Sequence, residues 1–186
     1  MGIFHKKEYR LIIVGLEYGE NDLFNYHIKG KKEIKEEKQK EKDEKGKNNL
    51  NHTIGLNIFD VKHGESTFTI WDLPNQEKTR ILWKDIYAST DGIIYVMDVS
   101  DKDRLNEEIK NFEGLLSENE LKTCPLLVMA KQDSSHSLSP DEVIKLLNME
   151  KYNNIRQWLV KGISFSTGEG IKDGFDWLAS QIITNK

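Results

Sequence analysis

The stretch "GLEYGENDLF", residues 15–24, has the local pattern of a loop that holds the phosphates of a nucleotide. It follows the apolar run "RLIIV" and precedes a segment that predicts a helix. A glycine turn between a buried strand and a helix N-terminus presents backbone N–H groups to an anion. The stretch has no lysine, however, and it carries Glu17, Glu20 and Asp22. The pattern therefore predicts the backbone of a phosphate site with side chains of the wrong charge.

Six apolar, partly β-branched runs predict the strands that must position this loop: 9–16, 56–62, 66–72, 91–99, 125–131 and 158–165. The first, fourth and fifth runs are almost continuously apolar, which is typical of strands covered on both faces. The second and third runs are separated by "HGE" with Gly64, which predicts an antiparallel hairpin.

Amphipathic segments between the strands predict helices. Apolar residues recur every three or four positions in 103–117 and 171–183, so each segment has one face for the core. The segment 138–147 starts with Ser139 as N-cap and Pro140 at the first helical position. The alternation of predicted strands and helices along the chain predicts one domain over residues 1–186. Its class is α/β, in three layers, with a mostly parallel six-stranded sheet.

The segment 29–49, "KGKKEIKEEKQKEKDEKGKNN", has Ile34 as its only apolar residue and does not belong to the predicted core. We expect a flexible loop or a solvated helix held by Glu–Lys pairs, such as Glu36 with Lys40. The alternative is a docking site for an acidic partner or an anionic lipid. Acidic residues interleave with the lysines and favour the first interpretation.

Composition narrows the classes of function. The 186 residues carry a net charge of −4, and Lys29–Lys47 holds nine Lys against six Asp or Glu, so the rest of the chain is acidic. An acidic body argues against nucleic acid as a partner. The single cysteine, Cys124, allows no internal disulfide and is expected near the core. We see no membrane span or signal peptide and expect a cytoplasmic location.

The segments at the predicted carboxyl ends of the strands resemble the Arf and Arf-like branch of the small GTP-binding proteins. The motifs that carry the resemblance are "TIG", "WD…Q", "LW", "KQD" and "TGEG…DWL". It runs from about Lys6 to Ile183, with 25–49 as an insertion before the first switch. The resemblance implies a small G-protein (P-loop NTPase-like) fold. The hairpin "VKHGESTFTIWD" then corresponds to the family's interswitch.

The resemblance allows the phosphate loop, G-x-x-x-x-G-K-[ST], to be compared residue by residue. Gly15 keeps the first position, and Gly19 is one residue too early for the second. Glu20, Asn21 and Asp22 stand where the family has glycine, lysine and a hydroxyl residue. A carboxylate ~4 Å from a phosphate oxygen adds about 4 kcal/mol of repulsion at an effective dielectric near 20. We therefore expect nucleotide affinity to be lost or severely reduced.

Three residues correspond to the Mg²⁺ site of the family. They are Asp22 in the phosphate loop, Thr53 in the first switch and Asp72 in the second. Carboxylates are suitable Mg²⁺ ligands, but in this family the ion is shared with the nucleotide phosphates. We expect these residues to hold Mg²⁺ only if a nucleotide binds.

The second switch reads Asp72-Leu73-Pro74-Asn75-Gln76 where the family reads D-x-G-G-Q. Gln76 corresponds to the residue that orients the attacking water, and it is the catalytic candidate if the protein is active. Pro74 fixes φ and removes an N–H where the family uses a flexible glycine. Asn75 replaces the glycine whose N–H meets the γ-phosphate. A rigid, GTP-insensitive second switch is expected.

The guanine-recognition motifs are partly kept. Lys131 and Asp133 match the family's N-K-x-D, with Ala130 in place of the asparagine. Ser164 matches the last motif, but Phe165 follows it where the family has a small residue, and we expect this bulky side chain near the base. Asp133 either accepts hydrogen bonds from a guanine or is a loop residue in a turn with the two serines that follow it.

Two surfaces outside the nucleotide motifs are candidates for binding. Leu56, Trp71 and Ile86 resemble the apolar triad by which the family contacts protein partners. Gly2 is a candidate for N-myristoylation, which would bring the N-terminus into peripheral contact with a membrane. Lys6, however, stands where the motif has Ser or Thr.

Two functions remain open from the sequence. The first is a non-cycling pseudo-GTPase without a nucleotide cofactor. It binds a protein partner through the interswitch and switch surface, in a trafficking, ciliary or assembly-scaffold role. The alternative is a GTP-binding switch that uses GTP or GDP with Mg²⁺ through an atypical phosphate loop. It would hydrolyse GTP weakly through Gln76.

Overall fold

The computed structural model of the protein describes residues 7–17, 19–30, 57–73 and 83–185. Within them, six strands form one sheet in the order β2-β3-β1-β4-β5-β6. Their bounds are β1 Glu8–Val14, β2 Asn57–His63, β3 Ser66–Leu73, β4 Gly92–Asp98, β5 Leu126–Lys131 and β6 Trp158–Ile163. β2 and β3 are antiparallel and every other neighbouring pair is parallel. The six predicted strands, the hairpin and the fold class are confirmed.

The helices cover both faces of this sheet. They are α1 over residues 20–30, α2 Lys84–Ala88, α3 Leu105–Leu116, α4 Pro140–Leu146 and α5 Ile171–Thr184, with short 3-10 helices at Asn119–Leu121 and Met149–Tyr152. Phe24 of α1 and Phe175 of α5 lie in one apolar cluster. Tyr87, Phe112 and Val143, from α2, α3 and α4, lie in the other. The domain therefore has the three predicted layers.

The near-continuous apolar sequence of β1 follows from its place between the two clusters. Leu11 and Ile13 point to the cluster under α1 and α5, while Ile12 and Val14 point to the other. Successive side chains of a strand face opposite sides, so a strand covered on both faces must be apolar at every position. All four side chains are at most 3% exposed. Each contributes about 1.5 to 3 kcal/mol of burial free energy.

The three predicted helices are confirmed with ends shifted by one or two residues. α4 begins with a capping box, in which the Ser139 hydroxyl accepts from the N–H of Glu142, and Glu142 Oε2 accepts from the N–H of Ser139 at 2.8 Å. α2 was not predicted, because five residues are too few for a 3.6-residue period to show.

The first residues of the expected insertion are helical. Residues 25–30 belong to α1, and Ile28 packs against the core. The Lys and Glu residues from Lys29 onward obscure the amphipathic pattern of this helix. Residues 31–49, which carry most of the predicted insertion, lie outside the described part of the chain. The single-domain boundary 1–186 stays a prediction.

Cys124 is free and 8% exposed, in agreement with its expected place near the core. Within the described residues, no helix combines the length and apolarity needed to cross a bilayer.

β1 ends at Val14 because Gly15 turns the chain with φ of +97°. A Cβ at this position would collide with the backbone oxygen of Val96 in β4, which has no room to move within the sheet. Gly19, with φ of +84°, has no atom within 4 Å of the position that a Cβ would take. Gly15 is therefore required by packing of the loop on the sheet, whether or not a phosphate binds.

We expect Gly15→Ala to destabilise the fold by about 2 kcal/mol or more, because it adds a backbone collision to the strain of positive φ. Gly19→Ala is the matched control and should lose only about 1 kcal/mol, from the left-handed backbone alone. Urea unfolding of both variants measures the difference. Equal losses would show that packing on Val96 does not constrain the loop.

Candidate functional site

The carboxyl ends of the parallel strands bring the predicted site residues to one edge of the sheet. The loop 15–19 follows β1, Asp98 ends β4, Lys131 ends β5, and the loop 164–170 follows β6. Strands β1, β4, β5 and β6 are adjacent and parallel, so these loops lie side by side. Ligands of open α/β sheets bind at this edge.

The ammonium group of Lys131 is surrounded by carboxylates. Its Nζ lies 2.9 Å from Glu20 Oε1, 3.3 Å from Glu17 Oε2 and 3.5 Å from Asp98 Oδ2. The side chains of Lys131 and Glu20 are only 11% and 13% exposed, so this pair is poorly screened by water. Lys131 matches the lysine of the guanine motif, yet its charge is neutralised by the chain's own phosphate loop.

Glu20 also occupies a backbone donor of that loop. Its second oxygen, Oε2, accepts from the N–H of Glu17 at 2.9 Å, while the N–H of Glu20 donates to the Glu17 carbonyl at 3.0 Å. Glu20 begins α1, and a carboxylate at a helix N-terminus is favoured by the helix dipole. The Glu20 carboxylate thus takes a backbone N–H and an ammonium group, the two kinds of donor that a phosphate takes from such a loop.

The opposite charges of Lys131 and its neighbouring carboxylates shift the pKa values of Lys131 and Asp98. Burial by itself would lower the pKa of Lys131. The hydrogen bond and charge of Glu20, with the charges of Glu17 and Asp98, hold the Lys131 pKa above its ordinary value. Burial would raise the pKa of Asp98, but hydrogen bonds from Ser100 and the charge of Lys131 lower it. Both groups are therefore charged at neutral pH.

The predicted Mg²⁺ ligands do not form a metal site in the described residues. Asp22 is exposed on α1. Asp72, at the end of β3, accepts from Asn57 Nδ2 at 3.3 Å, and burial raises its pKa. Among residues 7–17, 19–30, 57–73 and 83–185, no three His, Cys, Asp or Glu side chains are arranged to hold a metal ion. Thr53 lies outside the described residues.

Asp133 is bound to the loop after β6. Its Oδ1 accepts from the hydroxyls of Ser164 and Ser166, both at 2.7 Å, and from the N–H of Ser166 at 3.3 Å. Its Oδ2 accepts from the N–H of Phe165 at 3.0 Å. Asp133 is thus an exposed residue of the loop that contains Ser134 and Ser135, but its carboxylate binds the serines of the loop after β6.

The same hydrogen bonds control the charge of Asp133. Burial would raise its pKa, but the donors from Ser164, Ser166 and Phe165 lower it from 3.8 to about 2.

Asn21 is half-buried at the start of α1, and Gly19 is exposed in the loop before it. Neither restores the missing lysine of the phosphate loop.

The loop after β6 is held by two residues, one unexpected. The side chain of Phe165, expected near a base, is instead 4% exposed and packed in the apolar core, because α1 and α5 offer it an apolar site. His27 of α1, which the sequence did not indicate, lies with Nε2 2.8 Å from the Phe165 carbonyl oxygen. A Cβ on Gly168 would collide with the His27 ring. A single histidine on a helix has no sequence pattern that reveals such a contact.

Several predicted residues lie outside the described part of the chain: Gly2, Leu56, Pro74, Asn75 and Gln76. Two members of the predicted apolar triad are described. Trp71 and Ile86 are half-buried and pack against the cluster under α2, α3 and α4. The Arg10 guanidinium lies 4.9 Å from the centre of the Trp71 ring.

The sheet order, the antiparallel hairpin and the loop site define a small G-protein domain. A family model described as the ADP-ribosylation factor family matches residues 2–182. "ADP-ribosylation factor-like protein 2" of Arabidopsis thaliana is 34% identical over 178 residues, or 95% of this chain and 89% of that protein. The chain belongs to the ADP-ribosylation factor (Arf) family of small GTP-binding proteins.

A solved structure agrees with the fold. The Arl6 BBS3 small GTPase from Trypanosoma brucei, with the bound nucleotide analogue GppNp, superimposes with a TM-score of 0.75. The alignment covers 97% of this chain and 100% of the other, at 19% sequence identity. At that identity the likeness supports the architecture and not the ligand.

The described residues do not fit GTP with Mg²⁺, although the family is GTP-binding. Lys131 and the N–H of Glu17 are both bound to Glu20. Asp133 is bound to the serines of its neighbouring loop. A phosphate bound at this loop would lie near three carboxylates, those of Glu17, Glu20 and Asp98. In the described part of the chain, all three surround the ammonium group of Lys131.

We expect Asp133→Asn to reduce stability at neutral pH by about 1 kcal/mol, which is less than the full linkage value because this carboxylate is exposed. The folded pKa of about 2 lies below the ordinary 3.8, so the stabilisation is complete above pH ~5 and disappears as pH falls through 2. Urea unfolding between pH 5 and 2 measures it.

Glu169→Gln is the matched control, because it removes a carboxylate from the same loop that Ser164 and Ser166 do not contact. The unfolding free energies of wild-type protein and Asp133→Asn should converge as the pH approaches 2. Parallel curves for these two proteins over that range would contradict the assigned hydrogen bonds.

Proposed function

We propose that this Arf-family protein neither binds nor hydrolyses GTP and instead binds a protein partner without a nucleotide cycle. The observation that carries the proposal is the ion pair between Lys131 Nζ and Glu20 Oε1 at 2.9 Å. The pair fills the phosphate loop with a carboxylate that belongs to the chain. A trafficking, ciliary or assembly-scaffold role is consistent with such a protein.

The free energy of phosphate binding is opposed at this loop. A phosphate that takes the place of Glu20 must separate Glu20 from Lys131 and leave the carboxylates of Glu17 and Asp98 close by. One carboxylate ~4 Å from a phosphate oxygen raises the free energy by about 4 kcal/mol at an effective dielectric near 20. Since about 1.4 kcal/mol is a factor of ten, one such contact lowers affinity by roughly three powers of ten.

Binding of the guanine base at Asp133 is opposed as well. A carboxylate has about four lone-pair sites, and Asp133 already accepts four hydrogen bonds from Ser164, Phe165 and Ser166. Three of these bonds reach Oδ1 and one reaches Oδ2, so a guanine that donates to both oxygens must displace a donor from Oδ1. The displaced hydroxyls and N–H groups then need new partners, which removes much of the gain.

The competing function is a GTP switch with an atypical loop. Lys131 and Asp133 lie at the strand ends where the family recognises the base, and Asp72 and Gln76 are retained in the sequence. This function requires Lys131 to exchange three carboxylates for a nucleotide. The energies above favour the internal pair.

We expect the purified protein to contain no guanine nucleotide. The test is to purify it without added nucleotide, denature it and chromatograph the supernatant. A folded protein with less than about one tenth of an equivalent of GDP and GTP supports the proposal. Stoichiometric GDP or GTP would overturn it and establish the switch.

A restored loop gives the matched positive control. The triple variant Glu20→Gly, Asn21→Lys, Asp22→Thr converts residues 15–22 into G-x-x-x-x-G-K-T. It should gain affinity for GTP·Mg²⁺ by at least ~1000-fold, because it removes the pair with Lys131 and supplies the phosphate lysine. Equal affinity of variant and wild type in equilibrium titration would contradict the role given to Glu20.

The surface around Trp71 is the proposed partner site. Trp71 and Ile86 are half-buried, and Arg10 stacks on the Trp71 ring. The Trp71 Nε1 atom is buried without a hydrogen-bond partner among the described residues. Tryptophan and arginine are the residue types that most often dominate interface energies. An apolar segment of a partner fits this surface.

We expect Trp71→Ala to weaken partner binding by at least ~10-fold, while Gln76→Leu leaves it unchanged because no hydrolysis is blocked. Leu23→Ala, which truncates an exposed apolar residue on α1, is the matched control. The measurement is the affinity of each purified, folded variant for the co-purified partner. Tighter binding by Gln76→Leu would show that a GTP state is being trapped.

A further inference from the structure

A cavity lies at the edge of the sheet opposite the phosphate loop. It has a volume of about 500 Å³, within the range of small-molecule sites. Its walls come from the segments that precede β4, β5 and β6 and from the end of α5. The polar residues that line it include Thr90, Asp91, Thr123, Asn154, Arg156 and Asn185. Neither the G-protein motifs nor the proposed function uses this cavity.

Arg156 is a buried cation with few partners. The residue is 5% exposed, and its Nη1 donates one long hydrogen bond, 3.5 Å, to the Cys124 carbonyl oxygen. Its Nε is buried without a hydrogen-bond partner among the described residues. The guanidinium lies over the Tyr152 ring at 5.5 Å. In the described part of the chain no carboxylate lies within salt-bridge distance of Arg156, and its buried Nε has no acceptor.

An unpaired buried cation is unfavourable unless an anion compensates for it. Loss of the second partner of a buried charge pair typically destabilises a protein by several kcal/mol. Burial also lowers the pKa of Arg156, which reflects this desolvation. The stacking on Tyr152 stabilises the cation only in part. Arg156 lines a cavity large enough for a ligand.

The chemistry of the walls narrows the ligand class. A guanidinium binds planar carboxylates and phosphates through parallel hydrogen bonds. The hydroxyls of Thr90 and Thr123 and the amides of Asn154 and Asn185 add neutral donors. Asp91 adds one negative charge to the wall, although its Oδ2 accepts from the N–H of Arg10 at 2.8 Å. The Asp91 carboxylate repels a dianion more strongly than a monoanion, so the wall suits an anion of single charge better.

We propose that the cavity around Arg156 is a binding site for a small organic monocarboxylate. The carboxylate group pairs with the guanidinium, and the carbon skeleton lies against the apolar part of the wall at Ile155, Pro125 and Ile182. This site is independent of nucleotide binding and of the Trp71 surface.

The test is an NMR titration of the full-length protein with benzoate, acetate and inorganic phosphate as probes. We expect saturable shifts of the backbone amides of Thr123, Asn154 and Gln157. Benzoate should bind more tightly than acetate because it also contacts apolar wall. Phosphate at pH 7.5, mostly a dianion, should bind more weakly than benzoate.

Three variants make the titration specific. Arg156→Lys should weaken benzoate binding by at least ~10-fold, because an ammonium cannot form the parallel pair of hydrogen bonds. Asn154→Glu places a carboxylate at an exposed position of the wall and should also abolish binding, without a risk to the core. Lys122→Gln is the control, because it removes an exposed positive charge near Thr123 that does not line the cavity.

Benzoate shifts that are absent, that do not saturate, or that persist unchanged in folded Asn154→Glu would overturn the proposal. Tighter binding of phosphate than of benzoate would overturn the assigned ligand class. Neither result depends on whether GTP binds at the other edge of the sheet.

Discussion

The proposed function depends on the pairing of Lys131 with Glu20 at the edge of the sheet. One ammonium group lies within 3.5 Å of three carboxylate oxygens from three residues, and the nearest of those carboxylates also occupies a backbone N–H of the loop. A phosphate in such a loop takes backbone N–H groups, and the Glu20 carboxylate already holds the N–H of Glu17. In the proposed function, the internal carboxylate and the nucleotide are therefore alternatives. The internal carboxylate is part of the chain and acts at high effective concentration.

The core that supports this edge consists of the chain's own apolar side chains. Two apolar clusters, one on each face of the sheet, hold the six strands and the helices. Gly15 is retained because its Cβ position is blocked by Val96, so the first glycine of the motif has a structural reason to remain. Asp133 remains because it fixes the loop after β6 through four hydrogen bonds. Packing and loop hydrogen bonds therefore account for Gly15 and Asp133 whether or not a nucleotide binds.

The sequence predicts the fold well because strand and helix periods are local. The near-continuous apolar runs of β1, β4 and β5 identify a covered parallel sheet, and Ser139-Pro140 identifies the start of α4. The helical residues 25–30 of α1 are not predictable in this way, since the lysines and glutamates that begin at Lys29 obscure the apolar period. α2 is too short for its period to show.

The site is less predictable because its contacts join distant segments. The sequence predicts that Glu20 and Asp22 oppose a phosphate, but it does not show that Glu20 pairs with Lys131 while Asp22 remains exposed. It leaves the partner of Asp133 open, and it gives no reason to select Arg156 or His27. These roles depend on which loops meet at the two edges of the sheet.

The most direct test is the free energy of unfolding of the wild-type protein with and without GDP or GTP and Mg²⁺. A nucleotide that bound with a Kd of about 1 µM would, at about 1 mM, raise this free energy by roughly 4 kcal/mol. We expect no change beyond experimental error with either nucleotide, because Lys131 is already occupied by Glu20. A rise of several kcal/mol in the free energy of unfolding would contradict the proposed function and show that the protein binds nucleotide, as a GTP-dependent switch does.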